Sequence, residues 1–199
     1  MNKKLVILFG FENCLADTLG AMLNFLEFGG PKIKLYRKEF KKSKLARNIK
    51  DDSARQKVLA NFGSEKFYYG LKPNPTALQI YRSLIDAGHD VKICARDYKG
   101  QTGATQRSRK RRWVGRCLGE EARKNMVFSS NKAELSADLI IDSRSSITSD
   151  REAINCGHWI IVGQPFNKQL PQNTIVPPVG RINSKWSNWE EIFSQLKFD

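Results

Sequence analysis

Apolar residues fall into short unbroken runs set between longer segments of helical period. The runs are "KLVILFGF" (4–11), "DVKICA" (90–95), "NMVFSS" (125–130), "DLIID" (138–142) and "HWIIVG" (158–163). Their density in Val, Ile and Phe, without strict alternation, predicts strands covered on both faces, as in a parallel sheet. Between them, "NPTALQIYRSLIDAG" (74–88) predicts a helix with Asn74 as N-cap and Pro75 in its first turn. Ala77, Leu78, Tyr81, Leu84 and Ile85 form its apolar stripe, and Gly88 follows its end. "TQRSRKRRWVGRCLG" (105–119) places Trp113, Val114, Cys117 and Leu118 on one side, with arginines and Lys110 on the rest. A last helix opens on "SNWE", with capping-box spacing from Ser187 to Glu190, and carries Trp189, Ile192, Phe193 and Leu196 at helical spacing.

Strand–helix alternation from residue 74 onward predicts an α/β domain with right-handed crossovers. Residues 18–72 break that rhythm and read as helices, so they form a cap inserted after the first strand. The expected division is a core of residues 1–17 and 73–199 and a helical cap of residues 18–72, strongly basic at 32–50. Segment 164–185, with Pro165, Pro171, Pro177 and Pro178, reads as a long surface loop.

Composition adds one unusual feature. The 199 residues are 40% apolar and 27% charged, ordinary for a globular chain, but 34 Lys+Arg against 20 Asp+Glu leave +14. With a pI near 9.8 this favours polyanionic partners. Cys14, Cys94, Cys117 and Cys156 are widely spaced with no CxxC, which indicates reduced thiols in a cytoplasmic protein. His158 lies near Cys156, but no second ligand pair accompanies it, which argues against zinc. The opening "MNKKLVILFGFENC" superficially resembles a signal peptide. Its apolar run is short, is interrupted by Glu12 and has no small-x-small site, so it reads as a buried strand. No stretch has the roughly 18 apolar residues of a membrane span.

In parallel α/β sheets ligands sit at the carboxyl ends of strands. Those ends offer Gly10, Phe11, Glu12 and Asn13; then Ala95, Arg96 and Asp97; then Ser129, Ser130, Asn131 and Lys132; then Asp142, Ser143 and Arg144. At these positions the chain resembles the haloacid-dehalogenase-like phosphatases and, within them, the 5'(3')-deoxyribonucleotidases. "LVILFGFENCLAD" is similar to that family's first motif, an apolar strand followed by D-x-D-G-V-L-A-D. "GLKPNPTALQIYRSLIDAGHDVKIC" resembles the return from the cap into the second strand, and "RKRRWVGRCLG" the helix after it. "NKAELSADLIIDS" resembles the third and fourth motifs, and "SKWSNWEEIF" the C-terminal helix. The resemblance covers nearly the whole chain and implies a Rossmann-like parallel sheet, helices on both faces and a small cap after strand one.

The resemblance also implies roles. A first aspartate attacks phosphorus and a second protonates the leaving oxygen. A hydroxyl and a lysine hold phosphoryl oxygens, and an acidic pair helps bind Mg²⁺. Carried onto this chain, the nucleophile position is Gly10, the acid/base position Glu12, the motif's glycine Asn13 and the hydroxyl position Ala95 beside Arg96. Lys132 matches the phosphate lysine, and of the acidic pair Asp142 remains, followed by Ser143. Taking Asp17 as the nucleophile instead abandons the apolar strand that must precede it. Lys132 and Asp142 equally suit an ion pair bridging two strands. Lys132, Arg96 and Asn13 are the candidate anion-binding residues; Glu12 and Asp142 are the candidate metal ligands, if there is a metal.

Residues 32–50 hold nine Lys/Arg and one Glu, with Leu35, Tyr36, Phe40 and Leu45 interleaved. Cations interleaved with aromatics suit a backbone-tracking nucleic-acid surface, a solvated helix or an anionic membrane. Candidate contacts there are Lys34, Arg37, Lys38, Lys41, Lys42, Lys44 and Arg47. A second group comprises Arg107, Arg109, Lys110, Arg111 and Arg112. The expectation is a catalytically inactive, not enzymatic, deoxyribonucleotidase-like protein without a cofactor. It would bind nucleic acid, DNA or RNA, or belong to a ribonucleoprotein or polymerase-type assembly. The alternative is a divergent metal-dependent 5'-nucleotidase or phosphatase acting on nucleoside monophosphates, with Mg²⁺ as its cofactor.

Overall fold

The first apolar run becomes β1 (Val6–Gly10), followed along the chain by β2 (Asp90–Arg96), β3 (Val127–Ser129), β4 (Ala137–Asp142), β5 (Cys156–Val162) and β6 (Gly180–Ile182). The structure, a computed structural model, describes residues 3–29, 31, 49–97, 101–129, 135–143, 156–164, 167, 180–182 and 185–196. The six strands form one sheet in the order β3-β2-β1-β4-β5-β6. Every pairing is parallel, with Phe9 beside Ile93 on one side and Ile141 on the other. The α/β class is as the apolar runs predicted. The surface-loop reading of 164–185 needs correction, because β6 lies inside it. Its three residues are too few to show a period, and they join the sheet by pairing Ile182 with Val162.

The two-residue period of the strands divides the sheet's side chains between two layers. Ile7, Phe9, Ile93, Ala95, Leu139, Ile141, Ile160 and Val162 enter the larger core. Leu8, Cys94, Ile140, Trp159 and Ile161 enter the smaller one. The larger layer is closed by α4 (Pro75–Asp86), α5 (Gln101–Leu118), α6 (Glu120–Lys124) and α7 (Trp189–Ser194). Ring contacts stitch it together: Phe9 stacks on Trp186 at 5.4 Å, and Phe11 meets Trp113 edge-on at 5.2 Å.

Asn74 caps α4 as expected, accepting from the Ala77 amide, and Gly88 follows at a φ of 88°. The stripe is shifted, however: Ile80 is buried and Ile85 is 43% exposed. The Ser187–Glu190 capping box is also corrected. α7 begins after Asn188 with no side-chain cap, while Trp186, at a φ of 63°, turns into the core.

Between β1 and α4 lie α1 (Thr18–Asn24), a π-helical turn at Phe25–Gly29, α2 (Asp52–Asn61) and α3 (Glu65–Tyr69). Leu19, Met22, Leu26, Ile49, Ala54 and Val58 form a small core of their own. The two ends of this insertion are tied together. The Asp17 amide donates to the Lys72 carbonyl at 3.0 Å, and the Asn74 amide to the Leu15 carbonyl at 2.8 Å. The buried Trp113 indole anchors the return by donating to the Leu71 carbonyl at 3.0 Å. Among the described residues no helix is long and apolar enough to cross a membrane.

Candidate active site at the strand ends

Sheet order reverses at β1, where the connection to β2 runs one way and β4 lies on the other side, and the carboxyl ends of β1 and β4 are where such sheets place a ligand crevice. Gly10 ends β1 and Asp142 ends β4. A Cβ built on Gly10 would lie 3.0 Å from the Cys14 Sγ, 3.0 Å from the Ile141 carbonyl oxygen and 3.3 Å from the Asp142 Cα. The backbone of β4 is therefore packed against the place where a nucleophile's side chain would start.

The turn after Gly10 is held from within. Asn13 adopts a φ of 56°, a conformation that asparagine tolerates better than most residues. Its Oδ1 accepts from the Thr18 hydroxyl and the Leu19 amide, both at 2.8 Å, so this amide oxygen serves the start of α1. Glu12 points towards β2 and α5. Both its carboxylate oxygens lie 3.3 Å from the Arg96 amide, which donates to them. The Lys110 ammonium donates to Glu12 Oε1 at 2.6 Å and to the Arg96 carbonyl at 2.7 Å. Lys110 is 1% exposed and Glu12 is 20% exposed, so this is an interior ion pair with one edge towards the crevice.

Behind the crevice, the Ser143 hydroxyl donates to the Glu12 carbonyl at 2.9 Å. Asn167 Nδ2 donates to the Ser143 carbonyl at 2.6 Å and to the Val162 carbonyl at 2.9 Å, while its Oδ1 accepts from the Gln164 amide at 2.7 Å. Gln164 Nε2 donates to the Asn13 carbonyl at 3.0 Å. The turn after β1 is thus fastened to the ends of β4 and β5 by three neutral side chains. Gln164 and Asn167 were missed as site residues because nothing in a proline-rich stretch indicates that it passes over the strand ends.

The structure brings Glu12, Asn13, Arg96, Lys110, Asp142 and Ser143 together, and Ala95 lies in the larger core. Lys110 was placed among the nucleic-acid contacts; this is corrected, since it faces inward to Glu12. Its neighbours on α5 brace the fold. Arg107 pairs with Asp97 at 2.6 Å, Arg109 donates to the Gly63 carbonyl at 2.5 Å, and Arg112 pairs with Glu65. Arg111 lies 5.0 Å from the Phe128 ring centroid. Lys132, and Lys34, Arg37, Lys38, Lys41, Lys42, Lys44 and Arg47, lie outside the described residues.

The described residues do not fit a Mg²⁺ centre. That ion demands near-octahedral oxygen ligands. Among the described residues no group of three His, Cys, Asp or Glu side chains could hold a metal. Glu12 already carries an ammonium on Oε1, and Gly10 contributes no side-chain oxygen.

A parallel α/β sheet with its crevice at this reversal and a helical insertion after β1 is the haloacid-dehalogenase-like arrangement. A predicted phosphatase from Clostridium acetobutylicum shares the fold, with a TM-score of 0.60 at 13% identity over 97% of this chain and 100% of that one. The chain belongs to the family described as 5' nucleotidase, deoxy (pyrimidine), cytosolic type C protein, whose model matches residues 4–192. It is 26% identical over 192 residues to a Bordetella pertussis protein with a provisional 5'(3')-deoxyribonucleotidase name, covering 96% of each chain. It is 28% identical over 156 residues to the human cytosolic-type 5'(3')-deoxyribonucleotidase, covering 76% of this chain and 72% of the relative.

These matches overturn the expectation that the chain is not an enzyme. The family, the Bordetella relative aligned over 96% of both chains and the human relative are all named for a nucleotidase. Gly10 closes one chemical route, a covalent intermediate at that position, and inactivity does not follow from the loss of one route.

Proposed function

We propose that the chain is a phosphohydrolase of nucleoside monophosphates, with deoxypyrimidine 5'-monophosphates as the first substrates to test. The observation that carries this reading is the family match over residues 4–192, joined to a carboxylate, Glu12, at the edge of the strand-end crevice. Because Gly10 offers no nucleophile, the attacking group is water. Its oxygen bonds to phosphorus as the ester P–O bond breaks. Glu12 takes the water proton and the leaving alkoxide receives one, so the carboxylate ends as it began. Arg96, exposed at the end of β2, faces the phosphoryl oxygens, and Lys110 holds Glu12 in place. Phosphate release should be measured over a panel of nucleoside monophosphates for the wild type and Glu12→Gln. Release by the wild type that the variant loses is expected; silence across the panel would overturn the reading.

A second reading concerns contact with nucleic acid and rests on the +14 charge and the nine Lys/Arg of residues 32–50. It accompanies catalysis rather than replacing it. Gel shifts on single- and double-stranded DNA and RNA should weaken steeply with salt. Failure to shift any of them at low salt rejects it.

A further inference from the structure

We infer that this site takes the phosphate group of its ligand without a divalent cation, using a cation built into the protein in its place. The inference deepens the nucleotidase reading and rests on it only for the identity of the ligand.

Three observations support it. The carbonyl oxygens at the strand ends, which a hard cation would seek, already accept from protein donors. Glu12 O accepts from the Ser143 hydroxyl, Asn13 O from Gln164, Arg96 O from Lys110 and Ser143 O from Asn167. A metal entering there would meet oxygens already directed at N–H and O–H groups. Charge is also met from within: the Glu12 carboxylate is paired with Lys110, and the Asp97 carboxylate with Arg107. Each of these two carboxylates already has its cation. Finally, the Lys110 ammonium sits 2.6 Å from Glu12 Oε1 in a nearly dry position. A divalent ion bound to the same carboxylate would be repelled at short range in a medium that screens poorly.

The phosphate would instead meet Arg96 at the open edge. Guanidinium is a strong partner for phosphoryl oxygens because its fork matches them and its charge is permanent. Lys110, beneath, neutralises Glu12 so that the anion is not turned away.

The test is a calorimetric titration of the full chain with sodium phosphate at constant ionic strength, once in EDTA and once in MgCl₂. The dissociation constants are expected to agree within about twofold, and Arg96→Ala is expected to weaken binding about tenfold in both buffers, the loss of one charge-assisted contact. Binding at least tenfold tighter in Mg²⁺, and losing that gain in Asp142→Asn, overturns the inference. So does the absence of phosphate binding in either buffer. Phosphate release assayed in the same two buffers separates the claims. Release that requires Mg²⁺ defeats the metal-free site and leaves the nucleotidase reading standing. No release in either defeats the nucleotidase reading, while the titration still decides this one.

Discussion

Removing both members of the Lys110–Glu12 pair should cost clearly less than the two single removals added together. Lys110 is 1% exposed, so Glu12→Gln leaves an ammonium inside the protein facing a neutral amide. Breaking a buried pair from one side costs about 3–5 kcal/mol, and this variant belongs in the upper part of that range. Lys110→Met strands a carboxylate that is 20% exposed and still accepts from the Arg96 amide. Partial hydration and that hydrogen bond should hold its cost to about 2–3 kcal/mol. The double variant replaces both charges with groups of similar length and should cost about 4–5 kcal/mol, no more than Glu12→Gln alone. A coupling energy of about 2–3 kcal/mol is then expected, the upper end for residues in direct contact. Urea unfolding followed by tryptophan fluorescence can read it, since Trp113, Trp159 and Trp186 are buried. Costs that add to within about 0.5 kcal/mol would refute the interior ion pair, because residues that do not interact behave that way.

Gly10→Ala should lower the urea midpoint by an amount equivalent to about 1–3 kcal/mol, because the new methyl meets the Ile141 carbonyl at 3.0 Å. An unchanged or raised midpoint would show that the strand end has room for a side chain. Asn167→Ala should cost about 2–3 kcal/mol and depress phosphate release, since it unpairs the Ser143 and Val162 carbonyls together. Normal turnover would remove Asn167 from the account. Burial pushes the Cys156 thiol up to about 11, while its Sγ donates to the His158 carbonyl at 2.6 Å. The folded state therefore holds the proton after the unfolded chain has released it. This group leaves stability unchanged below pH 9 and erodes it between about pH 9 and 11, by about 2–3 kcal/mol in all. Cys156→Ser should flatten that part of the pH–stability curve; an equally steep fall would rule the thiol out as its source.

The sheet was legible because its strands are covered on both faces: Ile7, Phe9, Leu139 and Ile141 go to one layer, Leu8 and Ile140 to the other, and all are apolar. Strand β6 was not, since a three-residue strand has no period to read. Family resemblance located Glu12, Asp142 and Ser143. It could not show what Lys110 does. In "RSRKRR" one more cation looks like part of a solvated face, and its carboxylate lies 98 positions away. Gln164 and Asn167 were hidden for a related reason, as each acts on backbone more than twenty residues distant. The site's polar chemistry is non-local, whereas periodicity reports only what is local.

Metal-free attack by water at this site is tested most directly by single-turnover release of phosphate from a radiolabelled deoxypyrimidine 5'-monophosphate, in EDTA and with acid quench. Inorganic phosphate is expected, with no label held on the protein at any time and release lost in Glu12→Gln. Label retained covalently, or no phosphate released at all, would contradict it.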